Sequence, residues 1–347
     1  MTDHSQRVAD YRAVLEPLFS REGANAFEFV CALLRVGPGA APGWDPLQEA
    51  RDYVSDLNAL AETKFPRIPF ASPDVARVRM GLVSWNHLTA TDAPYQLIAN
   101  LLRVKAGMPY VDDPFFHLKS EVGKGGNSGK RAQRNMPLSP KRKIDEITRM
   151  AELVDCPGVG SAFDGFYFAD IHHAVNISEF VLNERGLRML RRPTPPERTP
   201  VETSVASLES LVGIIARAHA FYAAFMELEA EARRDFSGFK GKCVPYDASL
   251  KGLLELLIDD EGSLCGIKVH WPNKTESLFR RKGAECEVRN VTADSDGSVN
   301  FFVGKYFDDH NPLSQLVPKG WDLEYTPAEG SDTPPRWPET LHSVLAE

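Results

Sequence analysis

Asp170, His172, His173 and Asn176 bring a carboxylate, two imidazoles and an amide into one short run, Asp-Ile-His-His-Ala-Val-Asn-Ile-Ser-Glu-Phe-Val-Leu, which ends at Leu182. On a helix, residues three and four apart share a face. Asp170 therefore meets His173 and His172 meets Asn176, while the adjacent histidines point about 100° apart. Such groups can move protons as general acid and base. They can also offer nitrogen and oxygen to zinc, manganese or iron, with His87 or His117 joining Asp170 and His172 or His173. No His-Glu-x-x-His spacing occurs, and the plain alternative is a buried, hydrogen-bonded polar cluster, so neither a metal nor another cofactor is expected. Nucleophilic catalysis has less to build on. There is no Gly-x-Ser-x-Gly elbow, and no cysteine has an identifiable histidine neighbour.

A second chemical feature is charge. Residues 119–143 carry Lys119, Lys124, Lys130, Arg131, Arg134, Lys141, Arg142 and Lys143 against the single acid Glu121. The centre, Gly123-Lys-Gly-Gly-Asn-Ser-Gly-Lys-Arg, has no periodicity and reads as a flexible basic loop. It is not a phosphate loop: the position that needs glycine is Lys124, Arg131 follows Lys130 where a hydroxyl is needed, and no strand leads in. What remains is a sequence-independent attraction for phosphates that weakens as salt rises. The candidate nucleic-acid contacts are Lys124, Lys130, Arg131, Arg134, Lys141, Arg142 and Lys143. A formal net charge of -8 argues against a protein that coats nucleic acid generally, so any such binding must be local.

The elements that must position these groups divide by periodicity. A length of 347 residues, with 43% hydrophobic and 25% charged, suits a globular protein of about two domains. Apolar steps of three and four predict helices over 9–18, 26–34, 47–60, 143–153, 163–182 and 207–232, the last two around the histidines. Ser72-Pro73 starts a helix with the stripe Val75, Val78, Leu82 and Trp85; Asp92 and Pro94 start another, which Gly107 ends. Strands are expected over 253–258, 265–271, 286–291 and 299–303, joined by turns at 260–263 and 294–298. Residues 191–200, rich in proline, read as a stiff connection that breaks the helix before it. The five cysteines are scattered and read as reduced thiols. The N-terminus shows no signal core and no apolar run approaches the roughly 20 residues of a membrane span, so a cytoplasmic protein with no membrane partner is expected. The fold class is α+β. Its expected parts are an N-terminal helical segment (1–70), a helical domain (71–238), a small antiparallel β domain (239–326), and an extended tail with a short final helix near 341–345 (327–347).

The run from Asp170 to Leu182 resembles the signature helix of the HEPN superfamily, in which Arg-Asn-x-x-x-His is followed by a serine and an aromatic position. The flanks agree: Leu97-Ile-Ala-Asn-Leu-Leu-Arg-Val-Lys-Ala-Gly, Tyr110, Pro114-Phe115 and His219-Ala-Phe-Tyr-Ala-Ala-Phe look like neighbouring helices of bacterial members. The resemblance covers about residues 75–235. It implies a helical domain, a homodimer, and a place in bacterial stress or defence. Active members are metal-independent ribonucleases. Here His172 stands at the arginine position, His173 at the asparagine and Ile177 at the catalytic histidine, and isoleucine cannot move a proton. The resemblance thus implies a noncatalytic binding or regulatory protein, with RNA or a protein as partner. A divergent ribonuclease or metal-dependent hydrolase using Asp170, His172 and His173, and a purely structural homodimer, are the alternatives.

Overall fold

A computed structural model of the chain describes residues 2–22, 24–38, 40, 44–62, 72–121, 138–191, 202–247, 252–271, 274–283, 285–294, 297–301 and 322–323. In chain order the helices are α1 (Thr2–Phe19), α2 (Ala26–Leu34), α3 (Pro46–Glu62), α4 (Pro73–Ala90), α5 (Asp92–Lys105), α6 (Phe116–Glu121), α7 (Pro140–Leu153), α8 (Pro157–Ser161), α9 (Ala169–Asn176) and α10 (Leu208–Arg234). The strands are β1 (Phe180–Asn183), β2 (Gly186–Arg191), β3 (Glu202–Ala206), β4 (Lys242–Asp247), β5 (Gly252–Ile258), β6 (Leu264–His270), β7 (Glu276–Lys282), β8 (Glu285–Arg289), β9 (Val291–Ala293), β10 (Val299–Phe301) and β11 (Asp322–Leu323). The fold is α+β, with helices gathered in the N-terminal part and mainly antiparallel sheet in the C-terminal part.

Local chemistry explains the helix ends. Asn25 caps α2 by accepting from the backbone N–H of Phe27 at 3.0 Å and of Glu28 at 3.3 Å. At the other end Arg35 takes the left-handed conformation (φ 51°), and its N–H and that of Val36 close onto the carbonyls of Ala32 and Cys31. Glycine usually fills such a position. Arginine is held there because its guanidinium clamps the buried Asp45 carboxylate, with both nitrogen–oxygen contacts at 2.8 Å. In α4 and α5 the expected stripes are inside: Val75, Val78, Leu82 and Trp85, then Ile98, Leu101, Leu102 and Val104.

Two compact units form, each from separated stretches, whereas the sequence division runs in consecutive blocks. The first comprises Met1–Pro17, Glu49–Tyr95 and Pro137–Met226; the second comprises Leu18–Gln48, Gln96–Met136 and Glu227–Glu347. The first is centred on aromatic rings. Phe221 lies 5.0 Å from both Phe163 and Phe166, Tyr95 stacks on Phe163 at 5.7 Å, and Trp85 Nε1 donates to the Phe166 carbonyl at 2.9 Å. Each such side chain contributes about 1.5–3 kcal/mol through burial. The antiparallel sheet β1-β2-β3 belongs to this unit, and the second unit holds the six-stranded sheet β11-β4-β5-β6-β7-β8 and the pair β10-β9.

Several expectations change. The helix predicted over 163–182 stops at Asn176: Ser178 adopts φ 57°, its N–H bonds the Val175 carbonyl, and the Glu179 N–H bonds the Ala174 carbonyl. A hairpin follows, so the connection predicted at 191–200 succeeds a strand and not a helix; residues 192–200 lie outside the described ones. Gly186 is required in that hairpin, since φ is 119° and a Cβ would stand 2.1 Å from the Ala206 carbonyl oxygen. β4 and β7 join the expected strands, and the tail at 327–347 with its final helix falls outside the described residues. The stretch Leu208–Phe239 is, against expectation, long and apolar enough to cross a membrane. Of its most apolar 18-residue window, 61% is buried inside the protein.

Candidate functional site

α9 buries Ile171, His172 and Ala174 and exposes Asp170, His173 and Asn176. His172 is 7% exposed, with the Trp85 ring edge-on at 5.9 Å and the Tyr167 ring at 5.6 Å. Asn176 Nδ2 lies 3.2 Å from His172 Nδ1, and Asn86 Nδ2 donates to Asn176 Oδ1 at 2.9 Å. The same Nδ2 lies 3.4 Å from His172 Nε2, and it donates only to a ring nitrogen that carries no proton. Burial, then the neighbouring His173 and Lys143, lower the His172 pKa. The imidazole is thus a packed, neutral member of a side-chain chain, while Asp170 and His173 face solvent. The four residues do not converge on one open point.

The metal set fares no better. His87 lies on α4 with its ring 4.5 Å from Tyr53, and its buried Nε2 has no hydrogen-bond partner. His117 lies on α6. Among the described residues, no group of three His, Cys, Asp or Glu side chains is placed to hold a metal ion.

Of the basic candidates, Lys124, Lys130, Arg131 and Arg134 lie outside the described residues. Lys141, Arg142 and Lys143 belong to the first turn of α7, not to a loop. Lys141 is exposed and pairs with Asp145 one turn on. Lys143 cannot meet a phosphate: it is 3% exposed, because it shares the buried stripe of Ile144, Ile147, Met150 and Ala151. Its ammonium pairs with Asp92 and stands 5.7 Å from the centre of the Tyr95 ring.

Two arrangements escaped the sequence reading. In the second unit, β5, β6 and β7 align Glu255, His270, Glu276 and Lys268: His270 Nε2 lies 2.7 Å from Glu255 Oε2, and Lys268 Nζ lies 2.6 Å from Glu276 Oε1. The Lys268 hydrogen bond lowers the Glu276 pKa. Cys243 sits across the ladder from Glu255, and burial followed by that carboxylate pushes its thiol up to about 12. The thiol stays protonated, so the cluster gains no nucleophile from it.

In the first unit, a cleft of about 1200 Å³ opens along α10. Ser210, Gly213 and Arg217 lie along the helix, His4 and Arg7 come from α1, and Phe168 before α9 and Val205 of β3 complete the lining named here. Arg217 Nε donates to the Gly165 carbonyl. A Cβ on Gly213 would stand 3.5 Å from Arg217 Nη1, so the missing side chain leaves room beside the guanidinium. His4 stacks on His219 with ring centres 5.1 Å apart; burial, then His4, lowers the His219 pKa. The signal was present in Ser210, Gly213 and Arg217 at steps of three and four, but it reads equally as an ordinary helix face.

No family model, curated protein or solved structure matches this chain.

Proposed function

We propose that this chain is a noncatalytic binding or regulatory protein, with the HEPN-like reading of residues 75–235 and RNA as the favoured partner. The observation that carries the first part is the state of His172. The imidazole nearest in type to a catalytic group is packed between Trp85 and Tyr167 and held neutral by burial, and Ile177 occupies the position where the resemblance calls for a proton-moving histidine. RNA is favoured by the positive charge of Lys124, Lys130, Arg131 and Arg134, gathered within eleven residues of an acidic chain.

Fluorescence anisotropy with a labelled single-stranded RNA over a salt series tests the partner. Binding should weaken as salt rises. Neutralising Lys130, Arg131 and Arg134 together should flatten the slope of log K against log salt by about 2, from roughly 0.7 per phosphate contact. An unchanged slope removes this segment from the reading, and no binding at low salt removes RNA.

A further inference from the structure

We propose that the cleft of the first unit binds an amphipathic monocarboxylate, its carboxylate on the guanidinium fork of Arg217 and its apolar body along Phe168, Val205 and Val212. This site goes beyond the RNA-binding reading and stands without it.

The head-group seat comes from how Arg217 is held. Its Nε is engaged by the Gly165 carbonyl, which fixes the plane of the guanidinium; among the described residues its two terminal nitrogens make no hydrogen bond. Two parallel N–H donors in a fixed plane match the two oxygens of a carboxylate. Because the fork is already oriented, little side-chain entropy is lost on binding. Gly213, one turn earlier on the same face, keeps the approach open.

The tail wall is apolar and exposed. Phe168 is 40%, Val205 54% and Val212 49% exposed, and Ile171 and Ile214 line the same cleft beneath them. Apolar side chains gathered in one concavity mark a binding groove, unlike the single exposed residues of an ordinary surface. A space of about 1200 Å³ is far larger than a bare anion needs.

Charge selects a single negative charge. In the cleft lining, Arg7 is paired with Asp3 at 2.6 Å. Glu209 sits in the first turn of α10, about 12 Å along the axis from Arg217 at 1.5 Å per residue. With Arg7 offset by Asp3, Arg217 is the lining cation whose terminal nitrogens make no hydrogen bond among the described residues, and one cation balances a carboxylate better than a phosphate dianion.

Isothermal titration calorimetry of the full chain with decanoate, below its micelle concentration, tests the site. Acetate supplies the head alone, inorganic phosphate a denser anion, and decyltrimethylammonium the same tail on a cation. The expected result is saturable binding of decanoate and none detectable for the other three. Arg217→Gln should weaken decanoate by about tenfold or more. Val205→Glu, on an exposed strand position and leaving the Arg217–Gly165 contact intact, should weaken it comparably and keeps the test decisive if Arg217→Gln fails to fold. Absence of saturable decanoate binding, equal binding of the cationic amphiphile, binding of phosphate as tight as that of decanoate, or unchanged affinity in Val205→Glu overturns the proposal.

Discussion

Replacing His172 by alanine should destabilise the first unit by about 3 kcal/mol, whereas alanine at Asp170 or His173 on the same helix should cost no more than about 0.5 kcal/mol. The contrast follows from which side of α9 each residue occupies. The His172 ring is buried against Trp85 and Tyr167 and bonded by Asn176, so truncation leaves a cavity, two lost aromatic contacts of about 0.5–1.5 kcal/mol each, and one lost hydrogen bond of about 1 kcal/mol. Asp170 and His173 are exposed and surrender little. Urea unfolding followed by circular dichroism measures this; with a slope of about 2–3 kcal/mol/M, the His172→Ala midpoint should fall by about 1 M. Three equal shifts, or a His172→Ala variant as stable as the parent, would refute the packing argument. Acid adds a signature. The folded pKa lies below the ordinary value of about 6.5, so below that pH the unfolded chain takes a proton that the folded ring refuses. Stability contributed by the neutral ring is whole above about pH 6.5 and declines toward the depressed folded pKa. His172→Phe lacks this decline and should gain on the parent between about pH 7.5 and 5.5 in the same melts.

Asp92→Asn should cost about 2 kcal/mol in urea melts and more than Lys143→Met, because removing the anion strands a buried ammonium whereas removing the ammonium leaves a half-exposed carboxylate. At Asp45, burial raises the carboxyl pKa but is outweighed by the hydrogen bonds and charge of Arg35, then by Arg281 and the Gln48 N–H, so it titrates well below the ordinary carboxylate range. Its contribution is complete above about pH 3.9 and is lost as pH falls toward the depressed folded pKa; Asp45→Ala should cost about 3–5 kcal/mol at neutral pH and flatten the acid end of the stability profile measured by denaturant melts.

Much of the framework was legible because it rests on local chemistry. Ser72-Pro73 before α4 and Asp92 at the start of α5 are start signals that need no distant partner. The hairpin at β1 and β2 was missed although Asn183 and Gly186 mark its turn and Leu187 and Met189 alternate with exposed Arg188. The helical pattern from Ala169 to Asn176 was carried past Ser178, whose left-handed backbone no composition announces. β7 was hidden because Arg281 is buried within it, which becomes tolerable only when Asp45, remote in sequence, supplies a carboxylate at 3.4 Å. Lys143 misled for the same reason: its charge suggested a phosphate contact, and its partner is Asp92. The polar face of α9 could be named from spacing alone, but its division into a buried His172 and exposed neighbours depends on where Trp85 and Tyr167 lie.

In the proposed reading α9 carries no catalytic machinery. The most direct test is incubation of the purified full chain with structured and unstructured RNA in excess chelator, with fragments resolved on a denaturing gel. Both RNAs should remain intact over a time course that a general acid–base ribonuclease would complete. Robust cleavage that disappears in His172→Ala or His173→Ala would contradict the claim.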